Sequence, residues 1–272
     1  MQNTVGVNRD KYIGGSDIPA ILGISPFKSR FRLLQEKALI VEDDFEGNEY
    51  TEFGNELEPK IRAYINDIQD ESYFVEGKHY SGDIRIHTDG EDEFTETILE
   101  IKTTSHVFED VNKYKVYIAQ LLFYMDVLGW ETGLLAVYER PARLDKYSYR
   151  FDASRLHLYP INIHDYEDFV KEIRREVDQF REDLKRIKDN PFLLESDFFP
   201  DDIQKLANEL VKFEVQAKII EESFYAPMNA LEKKLSEALI ANGKKKCSGF
   251  NGWTFSLTPK GNIRSTYKEE DV

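Results

Sequence analysis

The stretch HTDGEDEFTETILEIKT, residues 87–103, decides the fold. Its second half, Thr97–Thr103, alternates as a strand, so Ile98, Glu100 and Lys102 share one face. Just before it, Asp83–Thr88 alternates too, with Ile84 and Ile86 on one face and Arg85 and His87 on the other. Asp89-Gly90 reads as the turn that ends this first strand. An Asp placed there, on a hairpin partner, converges with Glu100 on one point. The two carboxylates and the backbone carbonyl of Ile101 then offer hard oxygens to Mg²⁺. A cation so held polarises a phosphoryl oxygen and lowers the pKa of a water. Lys102 stabilises the attacking hydroxide or the charge that builds on phosphate. The competing reading of an isolated E-x-K strand is a solvated face with an ordinary ion pair.

Upstream, a helix is expected from about Asn55 to Gln69, with Pro59 in its first turn and Leu57, Ile61, Tyr64, Ile65 and Ile68 as its buried stripe. It carries Glu58, an acid able to join the metal or orient a water. Residues 42–52 read as an acidic loop, and Ser72–Tyr80 as a strand. Near the N-terminus, Ser16 or Asp17 is placed to cap a short helix, and Ser29 a second one. Downstream come a helix over Tyr114–Leu128 closed by Gly129, a buried strand over Thr132–Tyr138 with Tyr147–Phe151 beside it, and a helix running from Tyr166 to Leu184. From Leu206 to Leu239 apolar residues step by three or four, the pattern of an amphipathic helix packed on its own domain, with Pro227 kinking or dividing it. Trp253–Leu257 alternates as a strand and the remaining residues read as a loose tail. Asn190–Pro200 is the expected boundary, giving a domain over 1–190 and a helical extension with a short basic β-containing tail over 191–272.

Bulk composition limits the classes. The 272 residues are 41% hydrophobic, as in a folded protein. One cysteine, Cys247, excludes an internal disulfide and any multi-cysteine cluster. The expectation is a cytoplasmic chain without membrane span or signal peptide. Its net charge of −15 opposes nucleic-acid binding. The distribution softens this objection: residues 201–272 carry 11 basic and 11 acidic side chains, so the whole deficit lies in 1–200. Ala238 to Lys268 contains no acid but holds Lys244, Lys245, Lys246, Lys260, Arg264 and Lys268.

Four motifs together resemble a known family: IGGSDIPAILGISPF (13–27), FGNELEPKIR (53–62), the 87–103 core, and YIAQLLFYMDVLG (117–129). Their order resembles the PD-(D/E)XK nuclease superfamily, and within it the phage lambda exonuclease and YqaJ-type viral recombinase family. The resemblance implies an α/β, restriction-endonuclease-like core, a central mixed sheet flanked by helices, to which this chain adds its C-terminal helical extension with small strands. It implies Glu58, Asp89 and Glu100 as metal ligands, Lys102 as a catalytic residue and Gln120 lining the site. Arg9, Ser16, Lys102 and Gln120 become candidates for holding the 5′-phosphate of DNA. Where the family has a small hydroxyl residue two positions before the core Asp, this chain has His87. The implied activity is a Mg²⁺-dependent exonuclease, with Mn²⁺ as a possible substitute, working 5′ to 3′ on double-stranded DNA ends to leave 3′ single strands for phage-type recombination. A trimeric ring, a single-strand annealing protein as partner, and a phage or prophage origin in a bacterial host are implied with it. Two other readings stand beside it: a related endonuclease, and an acidic binding protein on a nuclease fold without activity.

Overall fold

The strand Thr97–Thr104 (β4) is the centre of the molecule, identified in a computed structural model that describes residues 9–43, 47–69, 72–145, 148–249 and 252–267. β4 pairs in parallel along its whole length with Thr132–Glu139 (β5), the two being joined by the helix Lys115–Leu128 (α4). The chain divides into two compact units, Met1–Glu195 and Ser196–Val272.

In the first unit the sheet is mixed, as its class required. Its order is β1 (Ile13–Gly14), β3 (Ile84–Asp92), β4, β5, β6 (Leu156–Asn162), with β2 (Val75–Ser81) pairing β3 as well. β2 occupies one edge of β3. The other edge is shared: β1 pairs with Ile84 and Arg85, β4 with Gly90 to Asp92. Between them, Ile86 to Asp89 have no strand partner on that edge, and β4 splays away. This splay is the cleft that positions the site.

One sheet face is covered by the helix Glu49–Ile68 (α3), whose Phe53, Leu57, Ile61 and Ile65 pack on Leu99, Ile101, Leu134, Ala136 and Tyr138 in a continuous core. Alternation puts Ile98, Glu100, Leu135 and Val137 on the opposite face. The helices on that side are α4, Ile18–Ile21 (α1), Arg30–Lys37 (α2) and Glu167–Asp189 (α5).

Several expectations are corrected. α3 begins six residues before Asn55, because Asn48 accepts the amide N–H groups of Tyr50 and Thr51, and Glu49 and Glu52 complement the helix dipole. Pro59 therefore sits in the helix interior. It deprives the carbonyl of Asn55, an exposed residue that water can reach, of its helical donor. Asp89-Gly90 is no turn: β3 runs through it to Asp92, with a bulge against β2. Gly90 is glycine because a Cβ would lie 2.9 Å from Phe74 and 3.1 Å from Leu99. The described residues of 147–151 are not strand; β6 takes that place on β5. Asp17 makes no side-chain cap on α1, its carboxylate being taken by Lys37 at 2.7 Å and the Gly14 amide at 2.9 Å. Ser29 does cap α2, accepting the Arg32 amide.

In the second unit the long apolar pattern becomes Asp201–Ile220 (α6), a π turn at Glu221–Tyr225 and Ala226–Ala241 (α7), with Pro227 in the first turn of α7. Here too an expectation fails. α6 buries none of its residues, and Leu206, Leu210, Phe213 and Phe224 are all exposed. Trp253–Leu257 is the expected strand (β8); of the residues read as a loose tail, Ile263–Tyr267 form a strand as well (β9), and with Lys246–Ser248 (β7) the three make an antiparallel sheet, while 268–272 lie outside the described residues. Ser236 on α7 donates to the Gly261 carbonyl at 2.6 Å, and Leu239 is buried. Among the described residues no helix is long and apolar enough to cross a membrane.

Candidate active site

Asp89 bridges the splay. Its Oδ2 accepts the amide N–H of Ile101 at 2.7 Å, replacing a ladder hydrogen bond lost where β3 and β4 part. In an extended strand the N–H and C=O of one residue point to the same side. The Ile101 carbonyl is thereby turned towards the splay as well.

Glu100 lies beneath α4, fully buried. Lys102, two residues on, is about one quarter exposed and ion-pairs with Glu100 Oε1. Beyond this ammonium, neither Glu100 oxygen has a hydrogen-bond partner among the described residues. Burial, with the charge of Asp89 added, pushes the Glu100 carboxyl far above the usual carboxylate range, although Lys102 opposes the shift. Asp89 is raised by burial too, again with Lys102 opposing. For Lys102, burial works to lower the pKa, and the charges of Glu100 and Asp89 outweigh it, keeping the ammonium charged.

Glu58 reaches the cleft from α3. Arg62, one turn later, donates to Glu58 Oε1 at 3.2 Å, to the Asp89 carbonyl and to Glu76. This guanidinium joins α3, β2 and β3 at the level of the bulge. Glu58 is raised by burial and by the Asp89 charge.

On the α4 side, Gln120 Nε2 donates to the Tyr124 hydroxyl at 3.1 Å. Tyr124 is buried, and its phenol is raised by desolvation and by the charges of Glu100 and Asp89. Gly15 packs on the same ring, where a Cβ would fall 2.3 Å away. Ser16, next in the chain, is exposed. The N-terminal turn is thus held to the cleft wall by a contact only glycine permits.

Arg9 sits in a 3₁₀ turn before β1, its guanidinium 3.2 Å from Asp43 and 3.6 Å from Asp17, while Lys37 Nζ holds its carbonyl at 2.6 Å. A phosphate at Arg9 would have to replace a carboxylate. His87 stands opposite Lys78, its buried Nε2 without a hydrogen-bond partner among the described residues. Burial, with the neighbouring charges of Arg85 and Lys78, pushes its pKa below the usual imidazole value.

Asp89, Glu100, Lys102 and Glu58 are therefore brought into one electrostatic group. Gln120 joins it through Tyr124, and Arg9 is held among acids of its own. Sequence reasoning missed Arg62 and Tyr124, although each lies four residues after a residue it singled out, the spacing of helical neighbours.

A divalent cation suits this donor set, because the buried Glu100 carboxylate, whose oxygens have no hydrogen-bond partner beyond Lys102, stands beside the half-buried Asp89. Among the described residues, however, no three His, Cys, Asp or Glu side chains form a metal-binding group by themselves. The set that fits is Asp89, Glu100 and the Ile101 carbonyl, with Glu58 engaged by Arg62.

The mixed sheet splits beside an Asp…Glu-x-Lys group, the arrangement that the sequence resemblance implied. Residues 7–133 match the family model described as the YqaJ-like viral recombinase domain, the family that the four motifs resemble. The chain is also similar to a phage-related exonuclease from Haemophilus somnus 129PT, with TM-score 0.47 and 17% identity over 64% of this chain and 95% of that one. An alkaline exonuclease from Laribacter hongkongensis gives TM-score 0.49 and 21% identity over 66% and 91%. Its complex with dAMP gives 0.47 and 19% over 66% and 90%. No curated protein matches the chain.

Proposed function

We propose that the protein is a divalent-metal-dependent DNA exonuclease that hydrolyses linear duplex from the 5′ end. The observation that supports this best is the buried Glu100 carboxylate, short of positive charge, beside Asp89 and Lys102 in the splay between two strands. Asp89, Glu100 and the Ile101 carbonyl would hold Mg²⁺. When bound, such a cation supplies Lewis-acid stabilisation of a phosphoryl oxygen and a hydroxide nucleophile at neutral pH. Lys102 places a fixed positive charge where negative charge grows on the phosphate, in a site largely closed to water. Glu58, aimed by Arg62, is placed to orient the attacking water. Tyr124 holds Gln120 at the wall. Ser16, with Arg9 behind it, is the part of the cleft suited to a terminal phosphate. The resemblance to the lambda-type enzymes adds a trimeric ring and an annealing protein as companion.

The test is incubation of a linear duplex, labelled at one 5′ end, with the full chain in Mg²⁺, in Mn²⁺ and in EDTA. Release of 5′ nucleotides in Mg²⁺ but not EDTA is expected. DNA bound but uncut in either metal would make the chain an acidic binding protein; internal cutting of closed circles would make it an endonuclease.

A further inference from the structure

In the second unit, register places Lys246, Ser256 and Arg264 side by side across β7, β8 and β9, and Ser248, Thr254 and Thr266 side by side in the next row of the same face. Every position of this two-by-three grid is basic or hydroxylic. Lys246, Ser248, Arg264 and Thr266 are exposed. The opposite face carries Cys247, Trp253, Phe255, Leu257, Ile263 and the hydroxyl side chain of Ser265, with Trp253 and Phe255 stacked 6.5 Å apart. The sheet is thus two-faced, mainly apolar on one side and cationic on the other. The surrounding sequence contains no acid from Ala238 to Lys268, in a chain whose net charge is −15. None of Lys244, Lys245, Lys246, Lys260 and Arg264 has a carboxylate partner among the described residues.

From this grid we infer that the C-terminal sheet is a second DNA-binding surface, separate from the cleft residues, which grips the phosphate backbone of duplex DNA; DNA as its ligand rests on the proposed nuclease function. A solvated face needs no segregation of charge, whereas a phosphate-binding face needs acids excluded from it. Lys246 and Arg264 lie two strand spacings apart, about 10 Å, so two flexible cations flank a central row of hydroxyl side chains; Ser256 and Thr266 donate to the Arg264 and Thr254 carbonyls at 3.4 and 3.3 Å, long bonds that a phosphate oxygen would replace. Phosphate oxygens accept from all of these groups. The grid itself carries no aromatic ring, because Trp253 and Phe255 project from the opposite face. Stacking on splayed bases, the mark of single-strand platforms, is therefore absent from this contact. Duplex, with its higher charge density, is the favoured occupant, and binding is independent of sequence.

The experiment uses the full chain in EDTA, where hydrolysis is blocked, and measures fluorescence anisotropy of a labelled duplex and of the same strand alone across about 50–200 mM salt. Lys246→Ala/Arg264→Ala should bind duplex about tenfold more weakly, with the slope of log affinity against log salt reduced by about 2. Circular dichroism should be unchanged, since both side chains are exposed. In parallel, Mg²⁺-dependent hydrolysis of bis(p-nitrophenyl) phosphate, which has no further phosphate to offer the sheet, should be equal in wild type and variant. Unchanged duplex affinity and salt slope would overturn the inference even if wild type proves to be a nuclease. Tenfold tighter binding of the single strand than of duplex would also overturn it. Loss of duplex binding in a chain that hydrolyses nothing would sustain this surface while removing the nuclease reading.

Discussion

The cleft of the first unit and the helix α6 of the second break the same rule in opposite directions. One buries a carboxylate completely; the other leaves leucine and phenylalanine in water. A buried charge is tolerated because Lys102 sits beside it and a proton or cation can neutralise it. An exposed apolar stripe of this length is unusual in a monomeric protein. Its flanking acids, Glu209 and Glu214, keep the helix hydrated. Both regions are incomplete as they stand, but only the cleft carries strain in its electrostatics. Function is expected where the fold resists ionisation, and tolerance of substitution where it buries nothing.

The strongest challenge to this contrast is Lys102→Ala. It should leave the fold intact, because Glu100 takes up a proton in place of its partner. It should lower nuclease turnover by at least about 10²-fold, the scale for a preorganised charge stabiliser. Turnover within a few-fold of wild type would return Glu100 and Lys102 to an ordinary ion pair. Next in size is Ile65→Ala on the core face of α3, expected to cost about 2–5 kcal/mol in urea unfolding; a cost below 1 kcal/mol, on the same scale, would show that this core is loosely packed. For the 5′ end, wild type should favour a phosphate over a hydroxyl by roughly tenfold to hundredfold, from one charge-assisted contact. Arg9→Ala should abolish most of that preference. Because Asp43 and Asp17 compete for the guanidinium, Asp43→Asn should enlarge it. Initial rates on duplexes differing only at the 5′ end decide both.

Smaller effects belong to the surface. Arg181 clamps Asp83 with two hydrogen bonds at 2.8 and 2.9 Å and holds its carboxyl below the usual range. A depressed acid stabilises the fold above its unfolded pKa and loses that contribution as pH falls through the folded value. Arg181→Ala should therefore lower Tm slightly at pH 6, by an amount that fades below about pH 4. A deficit that grows in acid would assign another role to Arg181. Smallest of all, Phe213→Gln in α6 should change stability by no more than about 0.5 kcal/mol, the range for exposed positions. A larger loss in thermal melts would show that something covers this helix in solution.

The parts of the fold legible in sequence are those where one periodicity dominates. Thr97–Thr103 alternates cleanly, and α4 ends at a glycine with φ of 73°, so both were readable. Elsewhere local signals misled. Asp89-Gly90 has turn chemistry, yet its glycine answers to Phe74 and Leu99, residues brought together only by folding. Pro59 reads as a helix start, but the cap lies eleven residues earlier in an acidic stretch that resembles a loop. β6 contains Pro160, a residue that argues against a strand in sequence; at the sheet edge proline costs no ladder bond. Within the site, the acids and the lysine were legible because they lie on strands of clear phase. The clamp of Arg62 on the Asp89 carbonyl was not, because a sequence does not reveal which carbonyl an arginine will meet.

The shared edge of β3 also sets an order in time. Ile13 leaves the ribosome first, yet its partner Ile84 emerges about seventy residues later. The intervening loop must close before two short strands can meet, and loop closure over such a separation is slow. The turn carrying Ser16, held by Gly15 against Tyr124, can seat only after α4 has also been made. The cleft wall is thus completed late in folding, so a nascent chain truncated before α4 carries Asp89, Glu100 and Lys102 but cannot seat the turn that bears Ser16.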